Sequence, residues 1–295
     1  MLKFATYDVF TDAPFTGNPL AVVFEADALS DAKMQAIARE FNLSETIFIC
    51  APANGAHAAS VRIFTPGREL PFAGHPTIGG AIAVAEARRG RDAPNDVIIV
   101  LEEKIGPVRC GVKIAAEGAS FAEFAAPRLP EQAGADPSAD AAARLLGLSP
   151  ADIGFDRHAP SVFSAGVPFA MVPVASREAL ARARLTTPET HAAAGATEVF
   201  LYTRSEADAA HAFRARMFTQ TYEDPATGSA AAAFAGVLAR FEDLPDGWHT
   251  LPVLQGVEMG RPSLIGLEVG IEAGALTGAR IAGKAVKVSE GVLYA

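Results

Sequence analysis

Arg62-Ile-Phe-Thr-Pro-Gly-Arg-Glu-Leu-Pro-Phe-Ala-Gly74 and Arg216-Met-Phe-Thr-Gln-Thr-Tyr-Glu-Asp-Pro-Ala-Thr-Gly228 read as one stretch written twice, 154 residues apart. Arg62 to Thr65 align with Arg216 to Thr219, and without a gap Glu69, Pro71 and Gly74 fall on Glu223, Pro225 and Gly228. Two earlier segments recur in the same order. Gly17-Asn-Pro-Leu-Ala-Val-Val23 matches Gly166-Val-Pro-Phe-Ala-Met-Val172 at an offset of 149. Ser44-Glu-Thr-Ile-Phe-Ile49 matches Thr197-Glu-Val-Phe-Leu-Tyr202 at an offset of 153. Chance similarity between Ala-rich helices accounts for part of one segment, not for three in series. A period this long is a duplicated domain rather than a solenoid repeat.

Working outward, each half reads alike. Strand-like runs come first, Leu20 to Phe24 and Ala170 to Val174. In the first half a helix follows over 30–41, with Met34, Ile37, Ala38 and Phe41 on one face and Ser30 as its cap. After further strands comes the Gly-containing turn, then a helix of small residues, Thr77 to Arg88 and Ser229 to Arg240. Those two helices are apolar nearly all round, which predicts that each is buried within its own domain. The expected fold class is α+β, a pseudo-two-fold repeat of two domains in which a β-barrel-like sheet wraps one central helix. The stretch from Pro127 to Pro160, with a short Ala-rich helix near 139–146, reads as a linker. Residues Ala285 to Tyr294 read as a strand returning to the first domain. The expected domains are 1–126 completed by 283–295, and 127–282.

The 295 residues suffice for two domains, and half are hydrophobic. The formal net charge of −9 argues against a nucleic-acid partner and requires a local positive site for any anionic substrate. The first ten residues lack the basic start and apolar core of a signal peptide, and the longest apolar stretch, 230–239, is too short for a membrane span. Cys50 and Cys110 stand far apart in strand-like contexts, as reduced core residues of a cytoplasmic protein would. The six histidines offer no short metal-ligand spacing, and neither Gly-x-Gly-x-x-Gly nor a Walker loop is present. The expectation is therefore no metal and no cofactor.

If two copies of one domain face each other, a pocket lies between equivalent elements, and the turns before the two buried helices are the most distinctive of these. A helix start offers unpaired N–H groups and a favourable dipole to a carboxylate or a developing enolate. The turns differ where chemistry would be added: His75 aligns with Ser229 and Leu70 with Asp224. His75 and Asp224 are candidates for proton relay or substrate orientation; equally, each can serve as a helix cap or backbone partner. Glu45 opens the apolar run Thr46-Ile-Phe-Ile49, where desolvation suits a general acid/base. An ordinary strand-edge Glu, like its repeat partner Glu198, is the other reading.

At these residues the sequence resembles a known family. Val9-Phe-Thr-Asp-Ala-Pro-Phe-Thr-Gly-Asn-Pro19, Asn42-Leu-Ser-Glu-Thr46, Glu69-Leu-Pro-Phe-Ala-Gly-His-Pro-Thr77, Glu223-Asp-Pro-Ala-Thr-Gly-Ser-Ala230 and Gln255-Gly-Val-Glu-Met-Gly-Arg-Pro262 resemble the phenazine-biosynthesis PhzF-like isomerases. The resemblance implies a two-domain diaminopimelate-epimerase-like fold and a homodimer. It also implies a cofactor-independent proton shift on a small carboxylate in the inter-domain cleft. It places the acid/base on Glu45, further catalytic roles on His75 and Asp224, and substrate binding on Asn18, Ser44, Gly74, Gly228 and Ser229. Related epimerases and proline racemases carry a cysteine at each helix-start turn. Here those turns read Ala73-Gly74-His75 and Thr227-Gly228-Ser229, so a single carboxylate moving a proton on one face of the substrate fits better than a two-thiol racemase. A racemase-like enzyme and a non-catalytic small-molecule binding protein stay as alternatives.

Overall fold

The computed structural model describes residues 1–186, 198–206 and 211–295. It divides into two units, Met1–Ala125 with Ala282–Ala295, and Ala126–Ile281. Thr197, which the repeat sets against Ser44, lies outside the described residues.

The first unit runs β1 (Leu2–Val9), β2 (Asn18–Val23), α1 (Asp31–Phe41), β3 (Glu45–Cys50), β4 (Ala59–Phe64), β5 (Glu69–Leu70), α2 (Gly74–Arg89), β6 (Asn95–Glu103), β7 (Gly106–Ile114) and β8 (Ser120–Ala125). The order around its sheet does not follow the chain. β1 is antiparallel to β2 on one side and, on the other, to the end of the chain's last strand, Leu2 opposite Leu293. β2 runs parallel to β3, β3 antiparallel to β4, and β4 parallel to β6, which leads through β7 to β8. β8 in turn pairs with the last strand and closes the ring.

α2 is what the ring closes around. Every residue from Gly74 to Glu86 is buried, and its small side chains let the strands come close. A Cβ on Gly79 would stand 2.6 Å from Leu20 Cδ2, and one on Gly80 2.7 Å from Ile47 Cδ1. Burial of Ile78 and Ile82 contributes about 1.5–3 kcal/mol each. α2 starts three residues before the expected Thr77, because Pro76 lies in the first turn, where its missing N–H has no partner to lose. α1 lies outside the ring, capped by Ser30, and packs Met34, Ile37 and Ala38 against Val23, Phe48 and Phe64.

The second unit runs β9 (Glu131–Gln132), α3 (Ala139–Leu146), β10 (Ser161–Ser164), β11 (Pro168–Pro173), α4 (Arg177–Arg182), β12 (Glu198–Arg204), β13 (Phe213–Phe218), β14 (Glu223–Asp224), α5 (Gly228–Phe241), β15 (Gly247–Thr250), β16 (Val253–Gln255), β17 (Ser263–Glu272) and the start of β18 (Ala275–Leu293), which belongs to the first unit from Ala282 on. The pairing repeats that of the first unit: β10 antiparallel to β11, β11 parallel to β12, β12 antiparallel to β13, β13 parallel to β16. α5, buried over most of its length, takes the place of α2. The duplication extends to single hydrogen bonds. Arg62 grips Glu69 through Nε and Nη2 at 2.7 Å each, and Arg216 grips Glu223 in the same way at 2.8 Å. In both hairpins the Thr closing the turn donates its backbone N–H across it, Thr65 to Arg68 and Thr219 to Tyr222.

One expectation is corrected. The stretch from Pro127 to Pro160 is not a linker. Ala142, Leu145 and Leu146 of α3 recur at helical spacing and pack against Val162, Val172, Leu180 and Leu201, inside the core of the second unit.

Candidate active site

In the first unit three side chains meet at one end of the ring. Asn18 opens β2 and Glu45 opens β3. Their strands are parallel, with Leu20 opposite Glu45, so both residues sit at the same edge. His75 is the second residue of α2, whose start faces that edge. Asn18 Nδ2 lies 3.2 Å from His75 Nδ1, and His75 Nε2 lies 3.3 Å from Glu45 Oε2. Asn18 is fully buried and His75 is 4% exposed, while the Glu45 side chain keeps 13%. Burial pushes the imidazole pKa down to about 3, so His75 is neutral under ordinary conditions. With the amide nitrogen of Asn18 donating to Nδ1, the single imidazole proton sits on Nε2, the nitrogen nearer Glu45, although the two atoms are not aligned as a hydrogen bond. α2 has no side-chain cap, so capping is not what His75 does.

The loop leading into Asn18 is tied down from below. The buried carboxylate of Asp8 accepts from Phe15 N at 2.6 Å, and the hydroxyls of Thr11 and Thr16 meet at 2.5 Å. Ser44 precedes Glu45 and is half-buried. Gly74 is the first residue of α2 and is buried.

In the second unit Asp224, Gly228 and Ser229 share one turn at the start of α5. Thr227 donates its hydroxyl to Asp224 Oδ2 at 2.5 Å. The fully buried Gln255 spans the turn: its Oε1 accepts from Thr227 N at 3.2 Å and its Nε2 donates to the Asp224 carbonyl at 2.8 Å. Gly256 follows at φ 77°, and a Cβ there would stand 2.4 Å from the Arg261 carbonyl and 2.6 Å from that of Pro225. This backbone approach requires glycine. Each unit therefore presents the start of a buried helix, with its unpaired N–H groups, framed by polar side chains.

Thr227 and Gln255 were not singled out as site residues by sequence reasoning. A glutamine inside the apolar run Leu251-Pro-Val-Leu-Gln255 was the available signal, since a polar side chain in such a run is buried only with partners. Cys50 is half-buried at the far end of β3 and Cys110 is buried on β7, so neither lies in a helix-start turn. No helix among the described residues is long and apolar enough to cross a membrane.

The sequence model of the PhzC-PhzF family, described as phenazine biosynthesis-like protein, matches residues 7–291. The chain belongs to the PhzF family of isomerases. It is 50% identical to an uncharacterized isomerase of Mesorhizobium japonicum, over 99% of this chain and 98% of that one. It is 34% identical to the trans-2,3-dihydro-3-hydroxyanthranilate isomerase of Pseudomonas fluorescens, over 99% of each chain. Among solved structures it is similar to the PhzF-family phenazine biosynthesis protein of Bacillus anthracis, with a TM-score of 0.85, 26% identity and 99% of each chain covered. In this PhzF-family chain the residues around both helix starts are thus carried on the fold of its relatives.

Proposed function

We propose that this PhzF-family isomerase moves a proton between two carbons of a small, unsaturated, carboxylate-bearing ring, without metal or cofactor. Glu45 carries the proton. The observation that supports this most directly is the placement of Glu45 Oε2 3.3 Å from the protonated nitrogen of a neutral histidine. A neutral imidazole beside the carboxyl contributes no positive charge that would weaken it as a base. Glu45 takes a proton from one carbon and returns it to another on the same face, so the substrate neither gains nor loses atoms. The substrate carboxylate and the negative charge that develops on it are met by N–H groups at helix starts, the candidates being those around Gly74 of α2 and around Gly228 and Ser229 of α5. Asp224, held by Thr227, orients the substrate, as do Asn18 and Ser44 at the mouth of β2 and β3.

The relative at 34% identity supports a dihydro-hydroxyanthranilate as the first substrate to test. Turnover in D₂O should incorporate deuterium at the carbon that receives the proton. Glu45→Gln preserves size and polarity but cannot exchange a proton, so incorporation should fall by about two to four orders of magnitude with little change in affinity. Turnover should survive chelation and the pair Cys50→Ala, Cys110→Ala. Near-normal exchange in Glu45→Gln would move the acid/base role elsewhere.

A further inference from the structure

β6 ends on a buried acid, Glu103, that the reaction above does not use. Its place in the repeat is set by strand register. β4 pairs in parallel with β6, Ala59 opposite Leu101; β13 pairs in parallel with β16, Phe213 opposite Val253. Ala59 and Phe213 are 154 residues apart, the offset of the repeat, so Leu101 is the counterpart of Val253. Two residues further on, on the same inward face, Glu103 is the counterpart of Gln255. Gln255 fastens the turn before α5, and Glu103 reaches the first turn of α2, where its Oε1 lies 2.7 Å from Thr77 Oγ1.

Counting protons shows what form of Glu103 makes that contact. Thr77 Oγ1 also lies 2.8 Å from the carbonyl of Ala73. A carbonyl only accepts, and a hydroxyl has one proton to donate. Both contacts are full hydrogen bonds only when Thr77 donates to Ala73 and accepts from a protonated Glu103. The second oxygen, Oε2, is buried and hydrogen-bonds to no described group, which is tolerable for a neutral acid and costly for a carboxylate. We propose that Glu103 is a positioning residue that works as a neutral carboxylic acid, locking the start of α2 and with it His75, as the neutral amide of Gln255 locks the start of α5.

The lock bears on His75 directly. The Ala73 carbonyl takes both the hydroxyl and the backbone N–H of Thr77, and His75 lies midway between those two residues. The groups that face Glu103 are Thr77 from α2 and Cys110 from β7, whose thiol is pushed upward by burial first and by the acid second. The nearby cations are committed elsewhere, Arg62 of β4 to Asp31 and Glu69, and Lys104 to Glu69. Burial therefore governs, pushing Glu103 up to about 8 against the opposing pull of Thr77.

The proposal gives His75 its value through the site reading above, but its test needs no turnover. The folded chain keeps a proton that the unfolded chain releases above the ordinary value of 4.5, so this residue makes stability fall as pH rises from there to about 8. Glu103→Gln, which supplies a permanent donor, should remove that part of the slope of melting temperature against pH. The imidazole nitrogen resonances of His75 should shift near pH 8 in the natural chain and stay fixed in Glu103→Gln. Glu103→Leu should displace them at every pH; if it does not fold, Thr77→Val, which removes the same hydrogen bonds, carries the test. Equal slopes in the natural chain and Glu103→Gln would overturn the proposal. So would His75 resonances that ignore the loss of the lock.

Discussion

The amide of Asn18 donates to Nδ1 of His75 across 3.2 Å, and this leaves the imidazole proton on Nε2, 3.3 Å from Glu45. Asn18 thereby sets which ring nitrogen carries the proton. Asn18→Leu keeps the volume but removes the donor, so the proton distributes over both ring nitrogens. Turnover should fall about 10–100-fold, the range typical of a lost outer partner, with a smaller change in KM. Nitrogen NMR of His75 should show the mixed tautomer. A single unchanged tautomer in the variant would show that Asn18 does not select it.

His75 should leave a signature in acid. Its folded pKa of about 3 lies below the ordinary 6.5, so the unfolded chain binds a proton that the folded chain refuses. The stability this represents is complete above 6.5 and is lost as pH falls toward about 3. Melting temperature should therefore drop more steeply over that window in the natural chain than in His75→Asn. The slope is opposite in sign to the one expected of Glu103, so the two are separable.

Gln255→Leu should destabilise the second unit. It leaves the Thr227 N–H and the Asp224 carbonyl buried without the partners they now have, at about 1–3 kcal/mol for each group. Denaturant unfolding would measure the loss. Turnover should fall with it, because Thr227 holds Asp224.

Gly79→Ala and Gly80→Ala test the fit of α2 within its strands. Alanine favours a helix over glycine by about 1 kcal/mol, yet the added methyls would press on Leu20 and Ile47. Overpacking of this kind costs about 1–3 kcal/mol, so both variants should unfold at lower denaturant than the natural chain. A gain in stability would mean that the strands yield easily.

Much of the architecture was legible from spacing alone. The match of Arg62 and Glu69 to Arg216 and Glu223 marked a repeat because an ion pair across a tight hairpin needs both partners at a set distance along the chain. The all-round apolar character of α2 and α5 identified central helices, since only a helix enclosed on every side has no polar face. The closing strand was legible in the tail, and β18 does pair with β1. The motifs around Glu45 and His75 pointed to two residues that the structure brings within 3.3 Å of each other, and the motif around Asp224 to the turn before α5. The stretch around α3 misled because its prolines suggested a linker while its leucines belonged to a core.

What only the tertiary structure decided is which inward-facing residues meet. The alternation Ile99, Leu101, Glu103 puts an acid on the inner face of β6, but the parallel register with β4 carries it to Thr77. In the same way, the parallel pairing of β2 with β3 sets Asn18 beside the edge that Glu45 shares with His75. The charge states follow from that assembly. A histidine with an ordinary value of 6.5 becomes neutral down to about 3 only because closure of the ring removes its water. Sequence alone determined the repeat and the helix that each half closes around. The protons at the starts of those helices depend on burial and register, which exist only once strands distant in sequence have paired.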